Sequence, residues 1–169
     1  MPRCADDLGA GISGIYADAN PAARTVNTFF RTWNDVDGDG VPDRVTKVRI
    51  AQHAWNGMRG RYLVHKVADL HRSGCDVKVM LGVGAGKVVK AVLENQGVPT
   101  NYGSTSKKTH QKLMFVSGAV GSDPAATLVW TGSHNWSDKA LKRDDVFMRI
   151  DSAEALAQYD ANFEDMWAN

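Results

Sequence analysis

The sequence predicts an α/β domain in which a mixed β-sheet is flanked by helices. A helical segment, residues 59–72, connects two strand-like segments, Val45–Ala51 and Cys75–Leu81. This is the order of a β-α-β unit, whose two strands are parallel neighbours. Two later apolar segments, Lys112–Val116 and Thr127–Thr131, have no helix between them and predict an antiparallel hairpin. Parallel and antiparallel pairs together make the predicted sheet mixed.

The remaining elements follow from helical spacing and from signals at helix ends. Apolar residues recur at helical spacing in Pro21–Trp33, which predicts the first helix. Lys87–Asn95 is a short helix ended by Gly97. A closing helix over residues 152–167 follows the strand Val146–Ile150. One face of the closing helix carries Leu156, Tyr159, Phe163 and Trp167.

Length and composition indicate one globular domain. The chain has 169 residues, of which 43% are hydrophobic and 23% are charged, so it can bury one core. We assign residues 1–169 to a single domain. The formal net charge is +1, which excludes binding of nucleic acid through bulk positive charge. No apolar stretch approaches the roughly 18 residues of a membrane span. Residues 1–7 lack a signal-peptide core, so an exported product would already have lost its signal.

Two cysteines, Cys4 and Cys75, allow one disulfide. The residues alone leave two interpretations open, a bridge or two free thiols, because one pair does not define the redox compartment. No Cys-x-x-Cys or His-x-x-x-His pattern accompanies them. The standard structural zinc sites are therefore excluded.

The segment of residues 82–87 resembles a phosphate-binding loop but matches no nucleotide fingerprint. A Walker loop needs Ser or Thr where Val88 stands, and a dinucleotide loop needs glycine where Lys87 stands. We interpret the segment as a flexible turn between strand and helix near the rim of a pocket. From there Lys87 can reach a phosphate.

The segment of residues 35–43 has carboxylates at alternate positions and Gly40 at its sixth position. Such a loop can turn several hard oxygens toward one calcium ion. The twelfth position, where an EF-hand has its glutamate, is Thr46, so at best this is a shorter calcium loop. The alternative is an Asp/Gly turn that binds no metal. The carboxylates of the candidate metal site are Asp35, Asp37, Asp39 and Asp43.

The residues with the clearest chemistry lie in the predicted hairpin. Residues i and i+2 of a strand share a face, so His110 and Lys112 project together. Imidazole can attack phosphorus or move protons near neutral pH, and the lysine ammonium neutralises non-bridging phosphate oxygens. Gly132, Ser133 and Asn135, at the end of the partner strand, add donors for the same oxygens. The pattern indicates a phosphodiester site.

These residues resemble the HKD motif of the phospholipase D superfamily, which reads His-x-Lys, four residues, Asp, and then Gly-Ser-x-Asn. The resemblance extends over about residues 45–169. Ser117 stands where the motif has Asp, and the 14 residues 118–131 exceed the family's spacing before Gly132. The longer spacing predicts a long hairpin loop over residues 118–126. The matching residues are His110, Lys112, Gly132, Ser133 and Asn135.

The resemblance implies a phospholipase D-like α-β-α sandwich and a two-step reaction. One motif's histidine attacks phosphorus to give a phosphohistidine, and a second motif's histidine protonates the leaving alcohol. Catalysis then needs no cofactor, and calcium would be structural. Asp145 matches the acidic residue that orients the catalytic imidazole. Independently of the resemblance, His53 and Trp55 follow a strand and are assigned to the pocket mouth.

The resemblance implies a phosphodiester hydrolase or phosphatidyltransferase, with phospholipid favoured over nucleic acid by the near-zero net charge. The alternatives are a nuclease that cleaves DNA or RNA through a local lysine groove, and an inactive half-domain or binding module. The sequence holds one His-x-Lys set, so a second imidazole must come from a homodimer or from a partner half-domain. Resemblance to secreted actinobacterial members implies an extracellular protein with a Cys4–Cys75 disulfide; a cytoplasmic location is the alternative.

Overall fold

The computed structural model describes residues 33–34, 44–103, 108–120 and 123–169. The calcium-loop prediction at residues 35–43, Cys4, and the predicted first helix lie outside these residues, with one exception. Trp33, the last residue of that predicted helix, lies in a short strand. No helix in the described ranges is both long and apolar enough to span a membrane.

Strands and helices alternate between residues 47 and 101, and a hairpin, a strand and a helix follow. The helices are α1 (Gly57–Arg72), α2 (Lys87–Asn95) and α3 (Ala153–Ala168). The strands are β1 (Trp33–Asn34), β2 (Arg44–Val45), β3 (Lys47–Trp55), β4 (Asp76–Ala85), β5 (Thr100–Asn101), β6 (Lys112–Val120), β7 (Asp123–Gly132) and β8 (Phe147–Asp151).

The central sheet has six strands in the order β5-β4-β3-β6-β7-β8, and β1 pairs with β2 apart from it. β3 pairs in parallel with β4 and antiparallel with β6. The prediction of a mixed sheet built from a β-α-β unit and a hairpin is therefore confirmed. Helices cover both faces, so the architecture is the predicted α-β-α sandwich.

Two strand predictions need correction, because the strands extend further than the apolar runs do. β4 continues through residues 82–85, for which the sequence predicts a turn. The hairpin pairs β6 with β7 as far as Val120 and Asp123. The prediction of a long loop over residues 118–126 is thus wrong. The strands continue there because backbone hydrogen bonds between strands do not require an apolar sequence.

Side chains alternate between the two faces of the sheet and form two cores. Val48, Ile50 and Val79 belong to the core that lies against α1 and α2. Ala51 and Phe115 belong to the smaller core against α3, where Phe163 is fully buried. This alternation is the period-two pattern of a sheet covered on both faces.

A buried arginine joins α3 to the centre of the sheet. Arg49 is 2% exposed; its Nε donates to Glu164 Oε1 at 3.0 Å and its Nη2 to Asp76 Oδ2 at 2.8 Å. Lys78 Nζ donates to the other Glu164 oxygen at 2.6 Å. Partial burial raises the pKa of Glu164, but the hydrogen bonds from Lys78 and Arg49 outweigh it, and the net pKa lies below the usual 4.5.

We expect Glu164→Gln to lower the free energy of unfolding at pH 7 by about 1 kcal/mol, because water screens this partly exposed pair. Since folding depresses the pKa of Glu164, its stabilisation is complete above pH 4.5 and is lost as the pH falls through the folded-state pKa. Thermal unfolding of both proteins from pH 7 to pH 3 should show the difference vanish at acid pH. Glu154→Gln, an exposed change on the same helix, is the control. A difference that is independent of pH would contradict this account.

Candidate active site

Several strand ends meet at one edge of the sheet, and the candidate site lies there. β3 and β4 are parallel and β6 is antiparallel to β3, so the ends of β3 and β4 lie beside the start of β6. The antiparallel pairing of β7 and β8 adds the end of β7 and the start of β8. We call this the site edge; the strand residues that define it are Trp55, Ala85, Lys112, Gly132 and Phe147.

The structure brings His110 and Lys112 together at the site edge. Lys112 is the first residue of β6, and its Nζ lies 3.0 Å from His110 Nδ1. The same Nζ donates to the His110 carbonyl at 2.8 Å. His110 is exposed and Lys112 is half-buried, so the pair is open to a ligand.

The charges around His110 favour its neutral form. The Lys112 ammonium and, after it, the His53 imidazole lower the pKa of His110 below its usual 6.5, and desolvation acts in the same direction. Desolvation also lowers the pKa of Lys112, while the Asp145 carboxylate opposes that shift. A neutral imidazole beside an ammonium combines a nucleophile with a cation that can bind an anion.

A second imidazole lies against His110. The ring centroid of His53 is 4.1 Å from that of His110, and the rings are tilted by 44°. His53 N donates to the Gln111 carbonyl at 2.8 Å, so the pairing of β3 continues to this position. His53 Nδ1 lies 3.4 Å from the Thr109 carbonyl. The structure therefore places His53 in the site itself.

Gly82 of β4 allows this close approach. A Cβ at this position would lie 2.7 Å from His53 Cα and would also collide with the Thr109 carbonyl oxygen. Because the glycine has no side chain, His53 and Thr109 pack directly on the β4 backbone. The glycine-rich segment thus serves strand packing and not a nucleotide loop.

The loop that follows β7 folds back onto the end of β3. Trp136 N donates to the Ala54 carbonyl, and Asn56 N donates to the Trp136 carbonyl, both at 3.0 Å. These bonds hold Asn135 at the site edge. Its Oδ1 atom is buried and accepts no hydrogen bond from the described residues. Oxygens of a phosphodiester only accept hydrogen bonds, so a contact from Asn135 to such a ligand would have to come from Nδ2, the donor end of the amide.

Ser133 holds Asp145 in place. Ser133 Oγ donates to Asp145 Oδ1 at 2.7 Å and accepts from Val146 N at 2.9 Å. A hydroxyl has one hydrogen, so in this arrangement Ser133 does not offer a donor to phosphate. Gly132, with φ at +148°, makes the contact feasible, because a Cβ there would collide with the Val146 carbonyl.

Asp145 contacts residues of the loop after β7 and does not contact His110. His134 Nδ1 is 4.0 Å from Asp145 Oδ2. Desolvation lowers the pKa of His134. The Asp145 carboxylate opposes this shift, and the charge of Arg59 lowers the pKa further. Asp145 acts on the reactive pair through its charge near Lys112. Orientation of His110 by Asp145 stays a prediction.

Trp55, assigned to the pocket mouth from the sequence, is a core residue. Its side chain is fully buried, and its Nε1 donates to the Gly60 carbonyl at 2.8 Å. Its ring meets Trp136 edge to face at 4.6 Å. The reason is an irregularity in the β3–β4 pairing between Gln52 and Ala54, which changes the simple alternation of side chains near the end of the strand.

Two further positions lie apart from the reactive pair. Lys87 is exposed on the first turn of α2 and contacts neither His110 nor Lys112 in the described structure. Ser117 lies five residues along β6 from Lys112, which is about 16 Å in a strand. Ser117 is therefore too far along the strand to contact the reactive pair.

Gln52 and Asp138 are two further residues of this region that the sequence patterns did not indicate. Gln52 is 2% exposed and pairs with Lys112 across β3 and β6, and its Oε1 accepts no hydrogen bond from the described residues. A polar residue two positions after Ile50 was the available signal. Asp138 accepts hydrogen bonds from Met58 N and Arg59 N at 3.0 and 2.9 Å, which caps α1 and lowers the pKa of Asp138. No local signal marks a cap so distant in sequence.

The fold and the His110–Lys112 pair define a phospholipase D-like domain. The chain belongs to that family, since residues 45–167 match the family described as "Cardiolipin synthase, PLD-like domain". No curated protein gives a significant sequence match.

Solved structures share the fold at low sequence identity. Nuc, a phospholipase D family member from Salmonella typhimurium, is 17% identical with a TM-score of 0.56, over 72% of this chain and 78% of Nuc. NucT from Helicobacter pylori is 15% identical with a TM-score of 0.54, over 72% and 79%. Polyphosphate kinase from Porphyromonas gingivalis is 11% identical with a TM-score of 0.54, over 73% of this chain and 21% of the kinase. These matches confirm the predicted phospholipase D-like fold.

We expect Gly82→Ala to cost about 1–3 kcal/mol of stability, because the backbone of His53 or Thr109 must move away from the new methyl group. The same movement should separate His53 from His110. Denaturant unfolding measures the first effect, and the histidine signals in NMR spectra report the second. Gly86→Ala, whose nearest Cβ contact would be 3.2 Å from Asn56 Cβ, is the control. Equal behaviour of the two variants would contradict the packing role of Gly82.

Proposed function

We propose that this protein is a phospholipase D-type phosphodiesterase in which His110 attacks phosphorus and forms a phosphohistidine. The observation that carries this proposal is the 3.0 Å contact between Lys112 Nζ and His110 Nδ1 at an open edge of the sheet. The lowered pKa of His110 supports it, because the imidazole must be neutral to act as a nucleophile.

In the first step a His110 nitrogen forms a bond to phosphorus while the bond from phosphorus to the leaving oxygen breaks. An ammonium only donates, so the His110 nitrogen that accepts from Lys112 is the one without a hydrogen. Lys112 Nζ lies 3.0 Å from Nδ1 and 3.5 Å from Nε2, so Nδ1 is the nearer acceptor. For Nδ1 to attack, Lys112 turns its hydrogen bond from the ring to a non-bridging phosphate oxygen. Asn135 supplies a further polar contact. The leaving oxygen takes its proton from a second imidazole.

In the second step the second imidazole removes a proton from water, and the water oxygen displaces His110 from phosphorus. An acceptor alcohol in place of water gives phosphatidyl transfer. Imidazole and ammonium groups supply all the acid, base and charge of both steps. Neither a metal nor another cofactor takes part in the proposed sequence.

A second copy of the chain is our proposed source of the second imidazole. Large apolar side chains are exposed at the site edge or on the first turns of the helices beside it, a surface that a two-fold partner can cover. Two sheets facing each other across this surface would each contribute His110 to one cleft. The exposed apolar residues are Met58, Val83, Val88 and Val146.

The substrate class we favour is phospholipid. The net charge of +1 is low for a nuclease, and the family description names a cardiolipin synthase. We also propose an extracellular location, which the disulfide-bonded Cys75 supports. The pairing of Cys75 with Cys4 stays a prediction.

We expect His110→Ala to lower turnover of a chromogenic phosphodiester by about 10³-fold or more, since it removes both nucleophile and acid–base group. Lys112→Met should be nearly as damaging because it leaves the phosphate charge unpaired. Asp145→Asn should be milder, because it alters positioning only. His65→Ala, an exposed change on α1, is the control, and circular dichroism verifies folding. Substantial activity in His110→Ala would overturn the mechanism, and parallel assays with phosphatidylglycerol vesicles, DNA and RNA identify the substrate class.

Light scattering tests the dimer, and subunit mixing tests the shared site. After exchange of equal amounts of wild-type and His110→Ala chains, we expect about one quarter of the activity of the same total amount of wild-type protein, because a shared site needs two intact histidines. Independent sites would retain one half. Val146→Glu should yield inactive monomers. A monomeric wild-type protein with full activity would contradict the proposal.

A further inference from the structure

The contact between His53 and His110 gives the site two imidazoles from one chain. Their centroids are 4.1 Å apart, which is the distance of packed rings. His53 comes from β3 and His110 from the segment before β6, so the tertiary fold creates the contact. The phosphohistidine mechanism proposed above assigns no task to His53.

His53 is too close to His110 to be the acid that protonates the leaving group. In an in-line displacement the nucleophile lies about 3–3.5 Å from phosphorus, and the acid lies a hydrogen bond of about 2.7–2.8 Å beyond the leaving oxygen. The phosphoryl group must fit between them. Rings in contact leave no such space, so His53 lies on the same side of phosphorus as His110.

We propose that His53 is a positioning residue, whose ring fixes the orientation of the His110 imidazole and whose charge, when protonated, keeps His110 from taking up a second proton. This inference rests on the proposed function, because it assumes that His110 is the nucleophile. The chemical consequence is that a neutral, oriented imidazole faces the phosphodiester over a wider acid range.

Three contacts hold His53 firmly enough for this role. Its backbone N–H is paired with the Gln111 carbonyl at 2.8 Å. Its Nδ1 lies 3.4 Å from the Thr109 carbonyl, within reach of a hydrogen bond when Nδ1 carries the hydrogen. The Gly82 backbone lies directly beneath both residues. The ring is thereby tied to the same segment that carries His110.

Two further charged groups lie near the His53–His110 pair and influence it. Lys112 of β6 contacts His110 directly, and its positive charge is the larger influence on that imidazole. Asp145, which precedes β8, acts on Lys112. The His53 imidazole acts on His110 in the same direction as Lys112 does, so its removal should raise the pKa of His110.

Two substitutions separate the ring contact from the charge. His53→Phe keeps a ring against His110 but cannot be protonated, whereas His53→Asn keeps a donor for the Thr109 carbonyl but has no ring. His65→Phe, on the exposed face of α1, is the matched control. NMR titration of the His110 ring protons, assigned with His110→Ala, reads out the pair without requiring activity, and kcat and KM are measured across pH.

For His53→Phe we expect the titration of His110 to move to higher pH, with kcat/KM lower by about threefold at pH 5.5 and unchanged at pH 8. For His53→Asn we expect kcat to fall by about tenfold at all pH values with little change in KM, because orientation is lost. Wild-type titration curves in His53→Phe, or wild-type kcat in His53→Asn, would overturn the proposal. If no phosphodiester is turned over, the proposed function fails while the titrations still decide whether the histidines are coupled.

Discussion

The hydrogen-bond register of β3 with its two neighbours is the constraint on which the rest of the structure depends. It sets Gln52 opposite Lys112 on one side and opposite Leu81 on the other. A shift of one residue would move every side chain of β3 to the other face of the sheet. Arg49 would then lose Glu164, and His53 would leave His110. One register thus fixes both the attachment of α3 and the geometry of the reactive pair.

The site edge concentrates positive charge on groups that remain accessible. Lys112, His110 and His53 lie together, and Asp145 balances the charge of Lys112 without contacting His110. The Lys112 ammonium and, after it, the His53 imidazole lower the pKa of His110, which favours a neutral imidazole beside a cation. An entering phosphodiester anion would relieve this mutual repulsion, so substrate binding and nucleophile activation draw on the same electrostatics.

The loop after β7 connects the site to the helical layer. Its residues Ser133 and Asp145 bond to each other, Trp136 bonds to the end of β3, and Asp138 caps α1. Because this loop places Trp136 in the core and caps α1 through Asp138, its position is set by the packing of the whole domain. Movement of Asn135 would therefore require the loss of several hydrogen bonds elsewhere.

The sequence by itself determined the order of the elements, the mixed sheet and the His110–Lys112 pair, because apolar periodicity and the shared face of residues i and i+2 are local properties of the chain. Only the tertiary structure decided that His53 packs on His110, that Trp55 is buried, and that Asp145 contacts Ser133 and His134. These contacts join residues from different strands and loops. They depend on register, on a pairing irregularity after Gln52 and on the space left by Gly82, none of which a local pattern encodes.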